Sequence, residues 1–270
     1  MRASDGMQLT IEAVIKQFPT GRGQPPVHAL DRIDLHVRTG EFVSLLGPSG
    51  CGKSTLLNII AGFLTPTAGR VLHQGEPVTR PDRRRTVVFQ DYALFPWMTV
   101  QQNIEFGLKA QGLDPSRRAD IARDFISRVH LLGFENRYPH EISGGMKQRA
   151  AIARALAPNP DMILMDEPFG ALDAQTRVLL QEEVARLTAH TRKTVLFVTH
   201  SIEEAVFLAD RVVVMSTRPG RIRSEITVSL SRPRIPEMRY DPWFIRTVQE
   251  LWQALKPEWQ EGSGNHDSAH

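Results

Sequence analysis

The chain has 270 residues, of which 41% are hydrophobic and 23% charged, as in an ordinary soluble globular protein. Its 33 basic and 30 acidic residues give a formal net charge of +3, an excess too small to indicate a dedicated nucleic-acid binder. The single cysteine, Cys51, excludes an internal disulfide framework and favours a reducing compartment. No run reaches the ~20 apolar residues of a membrane helix, and the start of the chain lacks the apolar segment of a signal peptide. We therefore expect a cytosolic protein.

The predicted elements in the first part of the chain are three strands followed by a helix. Short alternating or continuous apolar runs predict the strands at residues 7–15, 29–37 and 41–47. A Gly/Pro-rich stretch, residues 18–26, is predicted to be a loop between the first two. Residues 53–62 have helical spacing, and Gly62 is placed to end that helix. A glycine-rich loop thus lies between a strand and a helix.

The rest of the chain predicts a helical stretch and then an alternation of strands and helices. Residues 86–90 predict a strand, whereas residues 100–157 predict mainly helices. Further strands are predicted at residues 162–167, 194–200 and 211–216, and helices at residues 175–190, 201–209 and 243–255. This alternation is typical of a parallel α/β sheet. We expect the polar tail, residues 261–270, to be disordered.

Residues 47–54, GPSGCGKS, match the pattern G-x-x-x-x-G-K-[ST] between a predicted strand and a predicted helix. In that context the glycines let the loop wrap around a phosphate, and the helix N-terminus adds partial positive charge. Lys53 supplies a full charge for the β- and γ-phosphates, and the Ser54 hydroxyl is a ligand for Mg²⁺. An accidental glycine-rich turn is the alternative. The sequence predicts a nucleoside triphosphate site at Gly47, Pro48, Ser49, Gly50, Cys51, Gly52, Lys53, Ser54 and Thr55.

Two adjacent carboxylates end the apolar strand of MILMDEP, residues 162–168. Such acids are costly at the end of a buried strand unless a metal ion and a water molecule pair with them. We expect Asp166 to hold Mg²⁺ through its waters, and Glu167 to polarise or deprotonate the water that attacks the γ-phosphate. A solvated strand end is the alternative.

A third motif, ISGGMKQR at residues 142–149, resembles the signature sequence of ATP-binding cassette (ABC) ATPases and precedes the DEP strand, as it does in that family. Ser143, Gly144 and Gly145 open a predicted helix, so a hydroxyl group and a positive helix end are presented to an anion. A helix cap alone is the alternative. The resemblance implies an α/β fold of the P-loop NTPase (RecA-like) type, with a parallel-sheet core, an N-terminal antiparallel β region and an inserted α-helical subdomain.

The same resemblance, over residues 7 to about 220, implies the cofactors ATP and Mg²⁺ and four further site residues. Phe18 corresponds to an aromatic residue that stacks on adenine, and Gln90 to a glutamine that contacts Mg²⁺ and the attacking water. Asp173 belongs to the loop that follows DEP, and His200 corresponds to a switch histidine at a strand end. Two positions depart from the commonest family pattern, Met146 in the signature and Gly170 after DEP.

The resemblance also implies the domain organisation. Residues 1–220 are predicted to form an ABC ATPase domain, into which a helical subdomain at about 91–160 is inserted. Residues 221–270 form a short C-terminal extension with an amphipathic helix. The extension is too short for the additional β-domain or the paired regulatory modules of some family members, and the sequence assigns it no role.

One P-loop and one signature per chain imply a homodimer, because the family places these motifs on opposite faces and encloses ATP between two copies. Such a dimer would close on ATP and open after hydrolysis, and three functions remain open for that motion. They are a membrane importer with separate permease chains, an ABC ATPase that acts on nucleic acid, and a different P-loop enzyme such as a small-molecule kinase. The signature argues against the kinase. The absence of heptad runs, with one cysteine and one cassette, argues against the nucleic-acid function.

The importer interpretation implies integral membrane permease subunits as partners and, indirectly, a solute-binding protein. It places the chain at the cytoplasmic face of the inner (plasma) membrane, with no nucleic-acid partner. The expected docking segment follows Gln90 and carries Leu94, Phe95, Trp97 and Met98 in a loop-like setting. Coverage of these side chains by the protein's own core is the alternative.

Two further stretches resemble the ATPases of the nitrate, sulfonate and taurine importers. They are LFPW-x-TV, which begins at Leu94, and STRPGRI at residues 216–222. The expected cargo is therefore a small oxyanion such as an aliphatic sulfonate, taurine or nitrate. Another small solute, such as a heterocyclic vitamin precursor, is the alternative.

Overall fold

The computed structural model describes residues 6–21, 24–170, 172–191, 193–217 and 219–263. The strands are β1 (Met7–Phe18), β2 (Val27–Arg38), β3 (Phe42–Leu46), β4 (Ala68–His73), β5 (Glu76–Pro77), β6 (Arg85–Val88), β7 (Met162–Asp166), β8 (Thr194–Thr199), β9 (Arg211–Met215) and β10 (Ile222–Thr227). The helices are α1 (Lys53–Ala61), α2 (Val100–Ala110), α3 (Pro115–Arg128), α4 (Gly144–Leu156), α5 (Ala174–Thr191), α6 (Ile202–Leu208) and α7 (Pro242–Ser263). Pro139–Glu141 and Pro236–Tyr240 form short 3-10 helices.

The strands form two sheets. The larger has six strands in the order β10-β9-β3-β8-β7-β6, and its neighbours are parallel except for β10, which is antiparallel to β9. The smaller has four antiparallel strands in the order β2-β1-β4-β5. The predicted parallel core and the predicted N-terminal antiparallel region are therefore both confirmed.

The core lies in two layers, one on each face of the six-stranded sheet. Along β3, Phe42 and Leu46 join the cluster that includes side chains of α2 to α7. Val43 and Leu45 point to the opposite face and join the cluster with α1 and the antiparallel sheet. A strand with both faces covered has to be apolar throughout, which explains why β3 is a continuous buried run.

Polar side chains start the helices of the predicted helical stretch. Thr99 forms a capping box with Gln102 at the start of α2, Asp114 caps α3, and Ser143 caps α4. The predicted helices within residues 100–157 are thus confirmed, and they lie in the chain between β6 and β7.

The sequence analysis did not anticipate β4, β5 or β10. β10 adds an antiparallel edge strand directly after β9, and α7 buries Phe244, Leu251 and Leu255 in the main core beside α6. The described part of the C-terminal extension is therefore packed on the sheet and helices that carry the site.

Within the described ranges, no helix combines the length and the hydropathy that are needed to cross a membrane. Residues 261–263 of the predicted polar tail are helical, at the end of α7. Residues 264–270 of that tail lie outside the described ranges, as does Ala171, which follows Gly170 in the loop after DEP.

Candidate functional site

The carboxyl ends of β3, β6, β7 and β8 meet at one edge of the parallel sheet, where α/β proteins bind ligands. A cleft of about 760 Å³ opens at this edge. Most of the predicted P-loop lines it, through Ser49, Gly50, Gly52, Lys53, Ser54 and Thr55. Gln90 and Glu167 line the same cleft. The structure thus brings together residues from three predicted motifs.

The N-terminus of α1 is open to an anion. No side chain caps this helix, and its first turn contains no acidic residue. The first N–H groups of a helix have no partner within it and carry partial positive charge. Gly52, which precedes the helix, has a φ of 93°, and a Cβ there would lie 2.8 Å from the carbonyl oxygen of Ala29. Glycine is therefore required both for the turn and for the close approach to β2.

Lys53 places a compact positive charge inside the loop. Its side chain is 5% exposed, and Nζ donates hydrogen bonds to the carbonyl oxygens of Gly47 at 2.8 Å and Pro48 at 2.9 Å. Oε1 of Glu167 lies 4.0 Å from the same nitrogen. An ammonium group beside an uncapped helix start suits a phosphate group.

Asp166 ends β7 and accepts a hydrogen bond of 3.0 Å from the Ser54 hydroxyl. Burial raises the pKa of Asp166, although the bond from Ser54 opposes the shift. A divalent cation would offset the cost of burying this carboxylate, and hydroxyl and carboxylate oxygens are ligands that Mg²⁺ prefers. No group of three or more His, Cys, Asp or Glu side chains able to hold a metal occurs in the described ranges. The two side chains therefore fit an ion whose other ligands are phosphate oxygens and waters.

Glu167 joins Lys53 to His200. Its Oε2 lies 3.0 Å from Nδ1 of His200, which donates to an ionised carboxylate because such a group only accepts. Glu167 has a positive φ of 42°, which is uncommon for a residue with a side chain, and its N–H donates to the Val198 carbonyl at 3.0 Å. The bond to β8 holds this turn, so the two strand ends place acid and imidazole side by side.

Gln90 was expected at the end of a strand, but β6 ends at Val88, and Gln90 lies in the turn that follows. Its side chain still reaches the cleft. A Cβ at Gly170 would lie 3.4 Å from Nε2 of Gln90. This is an ordinary contact distance, so a larger residue at position 170 would be accommodated beside the glutamine.

A family profile described as ABC transporter matches residues 30–170, more than half of the chain. The chain belongs to the ABC transporter family. The nitrate import ATP-binding protein of Synechocystis is 46% identical over 93% of this chain and 96% of its own. The taurine import ATP-binding protein of Pelagibacter ubique is 44% identical over 87% of this chain and 89% of its own. The bicarbonate transport ATP-binding protein of Synechocystis is 48% identical over 84% of this chain and 80% of its own.

A solved ATP-binding cassette superimposes with a TM-score of 0.73 at 33% identity, covering 83% of this chain and 100% of the other. That cassette is described as a dimer in a post-hydrolysis state, bound to ADP and inorganic phosphate. The predicted P-loop NTPase fold class is confirmed, and this ABC protein binds and hydrolyses ATP.

Several predicted nucleotide-binding residues of this ABC protein do not line the cleft. Ser143 and Asp173 are exposed helix caps that accept backbone hydrogen bonds of 3.3 Å and 3.0 Å, respectively. Gly144 and Gly145 begin α4 behind Ser143 and are likewise absent from the cleft lining. Within one chain, the signature thus caps its own helix and does not line the P-loop cleft.

Cys51 is the residue of the P-loop that packs into the protein core. The residue is buried, and burial raises the pKa of its thiol, as expected for a packing residue rather than a reactive one. A Cβ at Gly47 would lie 2.8 Å from Sγ of Cys51, so glycine is required for this contact. Pro48 is buried beside them.

Phe18 is 37% exposed at the end of β1 and does not line the cleft. Its role at adenine stays a prediction. The neighbouring strand contributes Val27, His28 and Ala29 to the lining, and Pro219 completes it. Sequence reasoning missed these four residues, although the start of a strand directly after the Gly/Pro-rich loop was the available signal.

Proposed function

We propose that this chain is the ATPase subunit of a bacterial-type ABC importer for a small oxyanion. Lys53 and Glu167 line one cleft and His200 contacts Glu167 at 3.0 Å, which supports the hydrolytic part of the proposal. The transport part is supported by relatives that are named for nitrate, taurine and bicarbonate and that this chain matches over most of its length. All three solutes carry an oxyanion group.

The phosphates of ATP are held by the loop and by the start of α1. Lys53 exchanges its carbonyl partners for the β- and γ-phosphate oxygens. Ser54 and Asp166 would hold Mg²⁺, with Gln90 beside them in the cleft wall. When bound, Mg²⁺ neutralises charge on the phosphates. Burial of Lys53 keeps its charge close to the ligand and weakly screened.

Glu167 acts as the base for the attacking water, and His200 orients the carboxylate of Glu167. A carboxylate that accepts a hydrogen bond from imidazole is fixed in direction, so its second oxygen is free to receive the proton of a water. Gln90, at the cleft wall, orients that water towards the γ-phosphate. Positioning and electrostatics then carry the reaction, because phosphoryl transfer needs little covalent help.

Two copies of the chain share each ATP. The exposed Ser143, Gly144 and Asp173 and the half-buried Gly145 lie outside the lining of their own cleft, as residues that act on a partner's nucleotide would. The solved relative is described as dimeric with ADP and phosphate bound. In this assembly residues 1–220 form the ATPase domain, with the helical subdomain at about 91–160, and the dimer lies at the cytoplasmic face of the membrane beneath its permease.

Deleting the gene in its host tests the cargo. We expect uptake of labelled taurine, nitrate or bicarbonate to be lost. If the cargo is taurine, growth on taurine as sole sulfur source should fail, and if it is nitrate, growth on nitrate as sole nitrogen source should fail. Sulfate and ammonium serve as growth controls. Restoration by the wild-type gene but not by Glu167→Gln would tie the loss to hydrolysis. Undiminished uptake of all three solutes, without a second transporter, would reject an oxyanion cargo.

An apolar groove of about 460 Å³ offers a dock for the permease. Phe95 lines it with Phe89, Phe106, Ala110 and Pro158, and Asn103 fixes the backbone of Phe95 through bonds at 2.8 and 3.2 Å. These partners come from the residue after β6, from α2 and from the segment after α4, so the predicted docking loop forms only one wall of the groove.

The other three predicted docking residues differ in exposure. Leu94 is half-buried and packs against the protein's own core, so only part of its side chain is open to a partner, and its docking role stays a prediction. Trp97 is 69% exposed with its ring 5.7 Å from that of Phe95, and Met98 is half-buried beyond it. Phe95 and Trp97 therefore remain the proposed contacts with a short apolar helix of the permease.

Phe95→Asp is expected to leave the ATPase activity of the isolated protein within about twofold of wild type and to lower uptake roughly tenfold or more. A charge buried at a subunit contact is costly, whereas the nucleotide cleft is untouched. ATP turnover of the purified chain and solute uptake by cells or vesicles are the two measurements.

Ile245→Asp on α7 is the matched control, because Ile245 is 45% exposed and lies outside the groove. Thermal unfolding checks that Phe95→Asp is folded, and Phe106→Asp, with a ring 4.5 Å from Phe95, gives a second variant of the same groove. Normal uptake by both folded groove variants would contradict the proposal that the permease docks in this groove.

A further inference from the structure

Arg239 ties the C-terminal extension to the helices that follow the catalytic strands. It lies in the 3-10 helix Pro236–Tyr240, with its guanidinium 3.8 Å from the ring centroid of Phe207 on α6. Its Nη2 donates a hydrogen bond of 2.7 Å to Oε1 of Gln181 on α5. Burial lowers the pKa of Arg239, and the acidic Glu182 and Glu203 oppose that shift. A charged donor is thus held between two helices of the ATPase core.

The hydrogen bonds continue from Gln181 towards the cleft. Nε2 of Gln181 donates to Oε1 of Glu204 at 3.1 Å, and the Thr199 hydroxyl donates to Oε2 of Glu204 at 2.7 Å. The exposed fractions of Gln181, Glu204 and Thr199 are 5%, 8% and 1%, respectively. Buried hydrogen bonds of this kind polarise one another and fix the orientation of each member.

The chain of bonds ends at the residues on either side of His200. Thr199 precedes it, and the Ser201 N–H donates back to the Thr199 hydroxyl at 3.0 Å. The N–H of Glu204 in turn donates to the Ser201 hydroxyl at 3.4 Å. The backbone that carries His200 is therefore clamped on both sides, while its ring faces Glu167 at 3.0 Å.

We propose that Arg239 is a positioning residue for ATP hydrolysis, acting through Gln181, Glu204 and Thr199 to hold His200 against Glu167. This inference rests on the catalytic roles proposed above for His200 and Glu167. It gives the C-terminal extension a task in the reaction, since a segment outside the cleft lining sets the orientation of the side chain that contacts Glu167. Burial raises the pKa of Glu204, and the hydrogen bond from Thr199 with the nearby charges of Arg177 and His200 opposes that shift. Arg239 reaches Glu204 only through the side chain of Gln181.

Arg239→Ala is expected to lower kcat for ATP roughly tenfold with KM for ATP unchanged within about twofold, because small misplacements of catalytic groups are costly and phosphate binding is not involved. Arg239→Lys retains a donor and should recover most of the rate. Arg246→Ala is the matched control, because Arg246 is exposed on α7 and bonds only within its own helix in the described structure. Gln181→Met, of similar shape but without the amide, should reproduce the loss if Arg239→Ala proves unstable.

A double-mutant cycle separates positioning from general stabilisation. Thr199 and Arg239 act at opposite ends of the chain of bonds, so Thr199→Val combined with Arg239→Ala should lower kcat no further than the stronger single change. Multiplied losses, or a rise in KM without a fall in kcat in both Arg239→Ala and Gln181→Met, would overturn the inference.

His200→Ala distinguishes failure of this inference from failure of the proposed function. Loss of turnover in His200→Ala with full turnover in folded Arg239→Ala would reject the positioning role and leave the proposed site intact. Near-normal turnover in His200→Ala would reject the role of His200 itself, and the inference with it.

Discussion

Glu167→Gln is expected to lower ATP hydrolysis by at least about 100-fold while ATP affinity stays within a few-fold of wild type. The amide keeps the shape of the side chain and can still contact His200, but it cannot accept a proton from water. Lys53, Ser54 and the start of α1 are unchanged, so the contacts that hold the phosphates remain. Steady-state turnover and equilibrium binding of ATP measure the two quantities separately.

The same variant should accumulate as an ATP-bound dimer, because hydrolysis no longer separates the two copies. Size-exclusion chromatography with and without ATP measures this directly. Glu250→Gln, an exposed acid on α7, is the matched control and should behave as wild type. Turnover near wild type in Glu167→Gln would show that another group is the base.

Lys53→Ala is expected to weaken ATP binding roughly 100-fold, or to abolish hydrolysis where binding is forced by high ATP. The lost ammonium is almost fully buried in the loop, and no other lysine or arginine lines the cleft among the described residues. Removing a buried charge from a polyanion site costs several kcal/mol, whereas an exposed charge contributes little.

Isothermal titration with ATP and steady-state turnover test the loss of Lys53. Lys256→Ala on α7 is the control, since Lys256 is exposed and lies outside the cleft. Tight binding together with normal turnover in Lys53→Ala would contradict the assignment of the P-loop to the nucleotide site.

The P-loop and the acidic strand end could be predicted because their chemistry is local in sequence. The glycines, Lys53 and Ser54 lie within eight consecutive residues, 47–54, and an apolar strand on one side and a helix on the other define the context. The parallel sheet then brings Glu167 to the same edge, since all its parallel strands end there. The resemblance to ABC ATPases added Gln90 and His200, whose positions shortly after strands carry no signal of their own.

The missed elements depend on tertiary pairing. β5 is a two-residue strand, and β10 is half-exposed and polar, so neither has the apolar pattern that predicts a strand. The bond from Arg239 to Gln181 joins residues 58 positions apart through an irregular 3-10 turn. The place of Phe18 relative to the cleft likewise depends on how β1 pairs with β2 across a loop.

Turnover of mixed chains is the most direct test of the central claim, that the P-loop cleft of one copy and the signature of another form one ATPase site. Lys53→Ala and Ser143→Arg chains should each be inactive alone. A heterodimer of the two retains one site with an intact Lys53 facing an intact Ser143, so random mixing should restore about one quarter of wild-type turnover. No recovery in isolated heterodimers, or full activity in Ser143→Arg alone, would contradict the shared site.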